Sequence, residues 1–163
     1  MVSLANRKTF SDFPKEKSFN LLVDSTGIVM IRAGVGEKAF IAGFAYRHCL
    51  LDFHLLLERF GQIQLVSCGR SRISIDTSER TGQEGGDTSG LRSIIHSTEI
   101  LSRQVELLLI SRPEKRYDRF MSYYDDCAGL IPMGAVSSYI GISIQSLSRI
   151  RKRKCRRGVV AAA

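Results

Sequence analysis

The sequence predicts an α+β fold, with a β-rich first half, a long amphipathic helix and a helix-turn-helix near the C-terminus. Three observations carry this. Short β-type runs broken by turn formers fill residues 19–75. Apolar residues at helical spacing follow from Leu91. Residues 131–152 then hold the stop and start signals of two consecutive helices. The boundaries drawn on this basis are a β domain over 1–87, a helix over 88–110 and a helix-turn-helix domain over 111–157. With 163 residues, 44% of them hydrophobic, the chain is long enough for one domain or two small ones.

Residues 1–18 are polar and read as a loose lead-in. Strands are expected at 19–23, 27–33 and 39–46, with Asp24-Ser25-Thr26-Gly27 and Gly34-Val35-Gly36-Glu37-Lys38 as the turns between them. Leu50, Leu51, Leu55, Leu56, Leu57 and Phe60 recur with a helical period, so residues 49–60 are expected to be helical. Two further strands are expected at 62–68 and 72–75 around Gly69, followed by a glycine-rich loop over 76–90.

Leu91, Ile94, Thr98, Leu101, Val105 and Leu108 are spaced 3-4-3-4-3, a heptad seam. Ile95, Ile100, Leu107 and Leu109 broaden its apolar face. The expectation is that one flank packs on the β domain while the seam pairs with a second copy of the chain. Pro113 stops this helix and opens the next, with Ser111 and Glu114 set as a capping box. Tyr117, Phe120, Met121 and Tyr124 give that next helix an apolar face, and Asp125-Asp126 and Gly129 close it.

The most informative stretch follows. A helix is expected to end near Ile140, because Gly141 adopts a left-handed conformation at low steric cost. Ser143 suits the N-cap of a second helix. Val136, Ile140, Ile142, Leu147 and Ile150 are spaced to close a small core between the two helices. Gln145, Ser148 and Arg149 then share the outward face of the second helix, at i, i+3 and i+4. These side chains suit base reading: a Gln amide matches adenine and an Arg fork matches guanine in the major groove.

Net charge is +8, and six of those charges (Arg151, Lys152, Arg153, Lys154, Arg156 and Arg157) crowd directly after this face, leaving +2 for residues 1–150. Positive charge there is placed to meet phosphates, with Arg151 and Lys152 the nearest. Taken alone, such a run also reads as a solvated tail.

Cys49, Cys68, Cys127 and Cys155 are far apart, and His48, His54 and His96 form no metal motif, so no metal site is expected. Reduced thiols in a cytoplasmic protein are the simplest account. No signal peptide or membrane span is expected. No nucleophile elbow, Walker loop or zincin motif is present, and Asp125-Asp126 reads as a turn, so the chain is expected not to be an enzyme.

Ser111-Arg112-Pro113-Glu114-Lys115-Arg116-Tyr117, then Ile131-Pro132, Ser138-Tyr139-Ile140-Gly141-Ile142-Ser143 and Leu147-Ser148-Arg149-Ile150-Arg151-Lys152, resemble the DNA-binding domain of Crp/Fnr-type bacterial transcription regulators. The wording is closest to versions found in Bacteroidetes, and residues 88–154 carry the resemblance. It implies a cyclic-nucleotide-binding-like jelly roll as sensor domain, a dimerisation helix and a C-terminal winged helix-turn-helix. It further implies a homodimer on a two-fold site in double-stranded DNA, with RNA polymerase as a further partner. By position, Gln145, Ser148 and Arg149 become base readers, and Ser143 and Ser146 approach the backbone or base edges.

Two departures are visible. The first half looks short, as though the opening helix and first strand of the roll were missing, and Ser137 stands where many relatives carry Ala. Responsive members hold a cyclic nucleotide with a Gly-Glu pair and a later Arg-Ser/Thr pair. Here Gly36-Glu37 reads as a hairpin turn and Arg47 is followed by His48, so no cyclic nucleotide or other cofactor is expected, and any small-molecule effector is unknown. Two rivals to a sequence-specific regulator are a small-molecule sensor or interaction module without DNA binding, and a cupin-type enzyme.

Overall fold

The first strand, β1 (Val2–Leu4), lies along β8 (Ser71–Asp76), which in turn pairs with β3 (Asn20–Val23) and through it with β6 (Cys49–Asp52). A second sheet runs β2 (Thr9–Phe10), β7 (Ile63–Cys68), β4 (Ile28–Ala33) and β5 (Phe40–Tyr46). All of these pairings are antiparallel. The orders β1-β8-β3-β6 and β2-β7-β4-β5 are those of a double-sheet jelly roll. This computed structural model describes residues 2–4, 9–11, 20–23, 28–34, 36, 39–46, 49–76 and 88–161. The chain divides into two compact units, Met1–Gln104 and Val105–Ala163.

In the first unit the two sheets enclose Val29, Ile31, Ala33, Ala42, Ala45, Leu51, Ile63, Leu65 and Ile73. β4 is buried almost throughout because it is central in its sheet and flanked by β5 and β7. The helix α1 (Phe53–Phe60) starts at Asp52, whose carboxylate accepts from Leu55 N at 3.0 Å, and it stops at Gly61 with φ +71°.

Two expectations are corrected here. Residues 49–52 are strand rather than the start of the helix, because Leu50 and Leu51 find ladder partners in Leu22 and Leu21. The roll does not lack its first strand either: β1 occupies the edge beside β8. Glu37, Arg47, His48 and most of the glycine-rich stretch 76–90 lie outside the described residues.

The helix α2 (Thr88–Leu109) buries Ser93, Ser97, Ile100 and Leu107. Its polar side chains satisfy backbone groups of β6 and β5, one edge strand of each sheet. Leu50 N donates to His96 Nδ1 at 3.2 Å, Asp52 N donates to Ser97 Oγ at 2.9 Å, and Gln104 Nε2 donates to Ile41 O at 2.9 Å.

The second unit contains α3 (Pro113–Tyr124), a single 3-10 turn (Ala128–Leu130), α4 (Met133–Tyr139) and α5 (Ile144–Ala161). Phe120, Tyr124 and Tyr139 form its aromatic centre, with ring centroids 5.0–6.5 Å apart. The expected capping box is not formed: Arg112, not Ser111, is the N-cap of α3, and it makes no side-chain cap bond. No strand follows α5 among the described residues, so the wing of the expected winged form is not among them.

Candidate nucleic-acid interface

The turn between α4 and α5 is built by local signals. Gly141 has φ +66°, its N–H donates to Ser138 O at 3.2 Å, and Ile142 N donates to Ser137 O at 2.9 Å, which is the Schellman arrangement. Two residues later Ser143 Oγ accepts from Ser146 N at 3.1 Å and so caps α5. Ser137 is buried with its hydroxyl donating to Gly134 O at 3.0 Å, so the extra oxygen at this crossing is satisfied.

Val136, Ile140, Leu147 and Ile150 are buried between α4 and α5, and Ile142 is half-buried. The Arg116 guanidinium braces the same turn from α3. Its Nη1 donates to Ile140 O at 3.2 Å and Gly141 O at 3.4 Å, while its Nε donates to Ile110 O at 2.5 Å.

With Leu147 and Ile150 turned inward, the opposite face of α5 is open. Gln145, Ser148, Arg149, Arg151 and Lys152 are all exposed, as is Ser143, and Ser146 is half-buried. Arg149, Arg151 and Lys152 have no ion-pair partner among the described residues. The rest of the basic run is not equivalent. Arg153 pairs with Glu114 at 2.7 Å and Lys154 with Asp118, so α3 neutralises two of the charges. Arg156 is exposed, and nothing is described of the Arg157 side chain. Arg149 also borders a groove of about 330 Å³ with Arg112, Glu114, Ser146 and Arg153. Arg151 lies on the other flank, beside Tyr117, Met121 and Leu147.

Along α2 the residues of the heptad seam separate from the buried face. Leu91, Ile94, Thr98, Val105 and Leu108 are exposed, Leu91 by 64% and Val105 by 59%, and so are Ile95 and Leu109. Leu101 departs from the row: it is half-buried against the core of the roll.

The first unit also holds a pocket of about 180 Å³ lined by Phe44, Tyr46, Cys49, His96, Glu99, Ile100 and Arg103. That is below the range of about 300–1,000 Å³ usual for small-molecule sites. Burial pushes the Cys49 thiol up to about 12, so it stays protonated at neutral pH and is a poor nucleophile. Among the described residues no cluster of His, Cys, Asp or Glu is arranged to hold a metal ion, and no helix is long and apolar enough to cross a membrane.

No protein-family model matches the chain, and no curated protein is significantly similar to it. Solved structures with the same fold do exist. A CRP-family transcriptional regulator from Thermus thermophilus superposes with a TM-score of 0.75 at 10% identity, covering 97% of this chain and 86% of that one. FixK2 from Bradyrhizobium japonicum gives 0.72 at 13% identity, with 96% and 84% covered. A cyclic nucleotide-binding domain containing protein from Listeria monocytogenes gives 0.70 at 9% identity, with 96% and 81% covered. The chain therefore has the fold of CRP/FNR-type regulators, a β roll followed by a helical domain.

Proposed function

We propose that this chain is a sequence-specific, double-stranded-DNA-binding transcription regulator, without catalytic activity, that works in the cytoplasm as a homodimer. The observation that carries the reading is the open face of α5, where Gln145, Ser148 and Arg149 stand exposed behind a capped helix start. In a helix-turn-helix the second helix lies in the major groove and its N-terminal residues meet base edges. Gln145 and Arg149 are the base readers, each bidentate contact contributing about 1–3 kcal/mol of discrimination. Ser143 and Ser146 lie at the backbone end of the same turn. Arg151 and Lys152 bind phosphates, helped by Arg156. The ion pairs of Arg153 and Lys154 with α3 take those two out of direct competition for phosphate.

The exposed row on α2 supports the homodimer. Leu91, Ile94, Thr98, Val105 and Leu108 present a heptad stripe to solvent, and a second copy offers the same stripe in complementary register. The shared fold with a transcriptional regulator of the CRP family supports the same reading. RNA polymerase is the further partner such a regulator requires.

Selection of bound sites from random DNA tests the proposal, followed by titration of the selected site. Arg149→Ala should abolish the preference at one base pair of each half-site. Lys152→Ala should weaken selected and random DNA equally and lower the slope of log affinity against log salt by about 1. Preference unchanged in Arg149→Ala would remove α5 from the role of recognition helix.

A further inference from the structure

Two helices of the second unit end against one side chain. The unit begins at Val105, so it contains the last turn of α2, with Val105 and Leu108 of the exposed row. α2 finishes at Leu109, and α4 finishes at Tyr139, just ahead of the turn at Gly141. The last carbonyls of a helix have no partner within it and carry the negative end of its dipole. Here both ends meet the half-buried Arg116 guanidinium of α3. Nε donates to Ile110 O, directly after α2, and Nη1 donates to Ile140 O and Gly141 O, directly after α4. A second contact crosses the same joint: Leu108 Cδ2 lies 3.0 Å from the point where a Cβ on Gly141 would stand.

The turn itself is held without this fork. The positive φ of Gly141, the backbone bonds of Gly141 and Ile142 and the Ser143 cap are local, and Val136, Ile140, Leu147 and Ile150 close the core behind them. Glu106, with Tyr123 and Arg119, holds α2 to α3 at an exposed position and leaves the turn untouched. What Arg116 adds is a direct tie between the turn ahead of α5 and the helix that carries the apolar row. A guanidinium can make that tie because its donors sit on separate nitrogens of a rigid plane, whereas an ammonium is a single point on a flexible stem. We infer that Arg116 is a positioning residue: it locks the turn ahead of α5 to the end of α2, and so fixes the spacing of the two half-sites that a homodimer reads. In this role it touches neither base nor phosphate. The inference rests on the proposed homodimer on DNA and adds what sets its geometry.

The test uses the full chain and the palindrome selected from random DNA, with its spacer intact or changed by one base pair. One base pair moves the second half-site by about 3.4 Å and turns it by about 35°. The wild-type chain should lose about 100-fold in affinity on either changed spacer, because a second half-site out of reach forfeits the gain from tethering. Arg116→Ala should bind the selected palindrome less tightly, lose less than about tenfold on the changed spacers, and keep its base preference on an isolated half-site. Arg116→Lys, which keeps the charge and loses the fork, should be as tolerant of spacing as Arg116→Ala, and it carries the test if the alanine variant does not fold. A folded variant as strict about spacing as the wild type, or one with altered preference on the isolated half-site, overturns the inference while DNA binding stands. If the wild type gains nothing from the second half-site, the homodimer falls and this inference with it. If no sequence is enriched at all, the whole proposed function falls.

Discussion

At Gly43 the helix α2 comes close to strand β5. A Cβ at that position would stand 2.1 Å from Ile100 Cγ2, and Ile100 is itself buried and branched at Cβ, so neither side can give way cheaply. Gly43→Ala is expected to destabilise the first unit by about 1–3 kcal/mol through overpacking, read as a lower urea midpoint. Gly129→Ala, where nothing lies within 4 Å of the added carbon, is the matched control and should change little. Adding Ile100→Ala to Gly43→Ala removes the obstruction, so the double variant should be less destabilised than the two single losses combined. A fully additive result would show that the helix does not rest on this strand. This residue pair was not legible in the sequence, because a glycine in a strand announces close approach without naming what approaches.

Where one element had to be told from another, local signals decided some cases and failed in others. The turn between α4 and α5 was legible because its determinants, Gly141 and Ser143, act on their own neighbours. Residues 49–52 were misread because Leu50 and Leu51 suit either state, and pairing with β3, distant along the chain, settles it. The ion pairs Arg153–Glu114 and Lys154–Asp118 likewise depend on how α3 lies along α5.

The end of α2 is tied to α3 by another contact of this kind. Tyr123 donates its hydroxyl to Glu106, and Arg119 pairs with the same carboxylate at 2.8 Å while stacking 5.5 Å from the Tyr123 ring. The Tyr123 hydroxyl, with help from Arg119, holds the Glu106 carboxyl below its usual 4.5. A carboxylate whose folded value is depressed contributes stability above about 4.5 and loses it as pH falls through the lower folded value. Tyr123→Phe should therefore be slightly less stable than wild type at neutral pH, and the gap should close in acid. A gap independent of pH would mean that the ring, and not the hydroxyl, matters.

At the scale of the whole molecule the two faces of α2 differ in what covers them. The face with Ser93, Ser97 and Ile100 is buried in the first unit, and Gln104 and His96 stitch it to the edge strands. The sequence pointed to Ile100 and Leu107 as part of the apolar face, but not to Ser93 and Ser97, since buried serines carry no hydrophobic period. With the inward face occupied, Leu91, Ile94, Val105 and Leu108 remain exposed, an apolar row of the kind that marks an interaction site. In the proposed homodimer, self-pairing along this row would bring two copies of α5 into one assembly, as a two-fold site with half-sites about 34 Å apart requires. In that proposed dimer, Val105→Glu adds a charge to each copy near the C-terminal end of the seam, at an exposed position. Sedimentation should then show a single chain where the wild type shows two. Binding to the full palindrome should fall toward that of one half-site, because the second half-site is no longer engaged from a tethered partner. Each chain should keep its preference within a half-site, since α5 and its supports Arg116 and Gly141 are unchanged. A Val105→Glu chain that still sediments as a pair would move the dimer contact off α2, and one that loses half-site preference would show that base reading requires the pair.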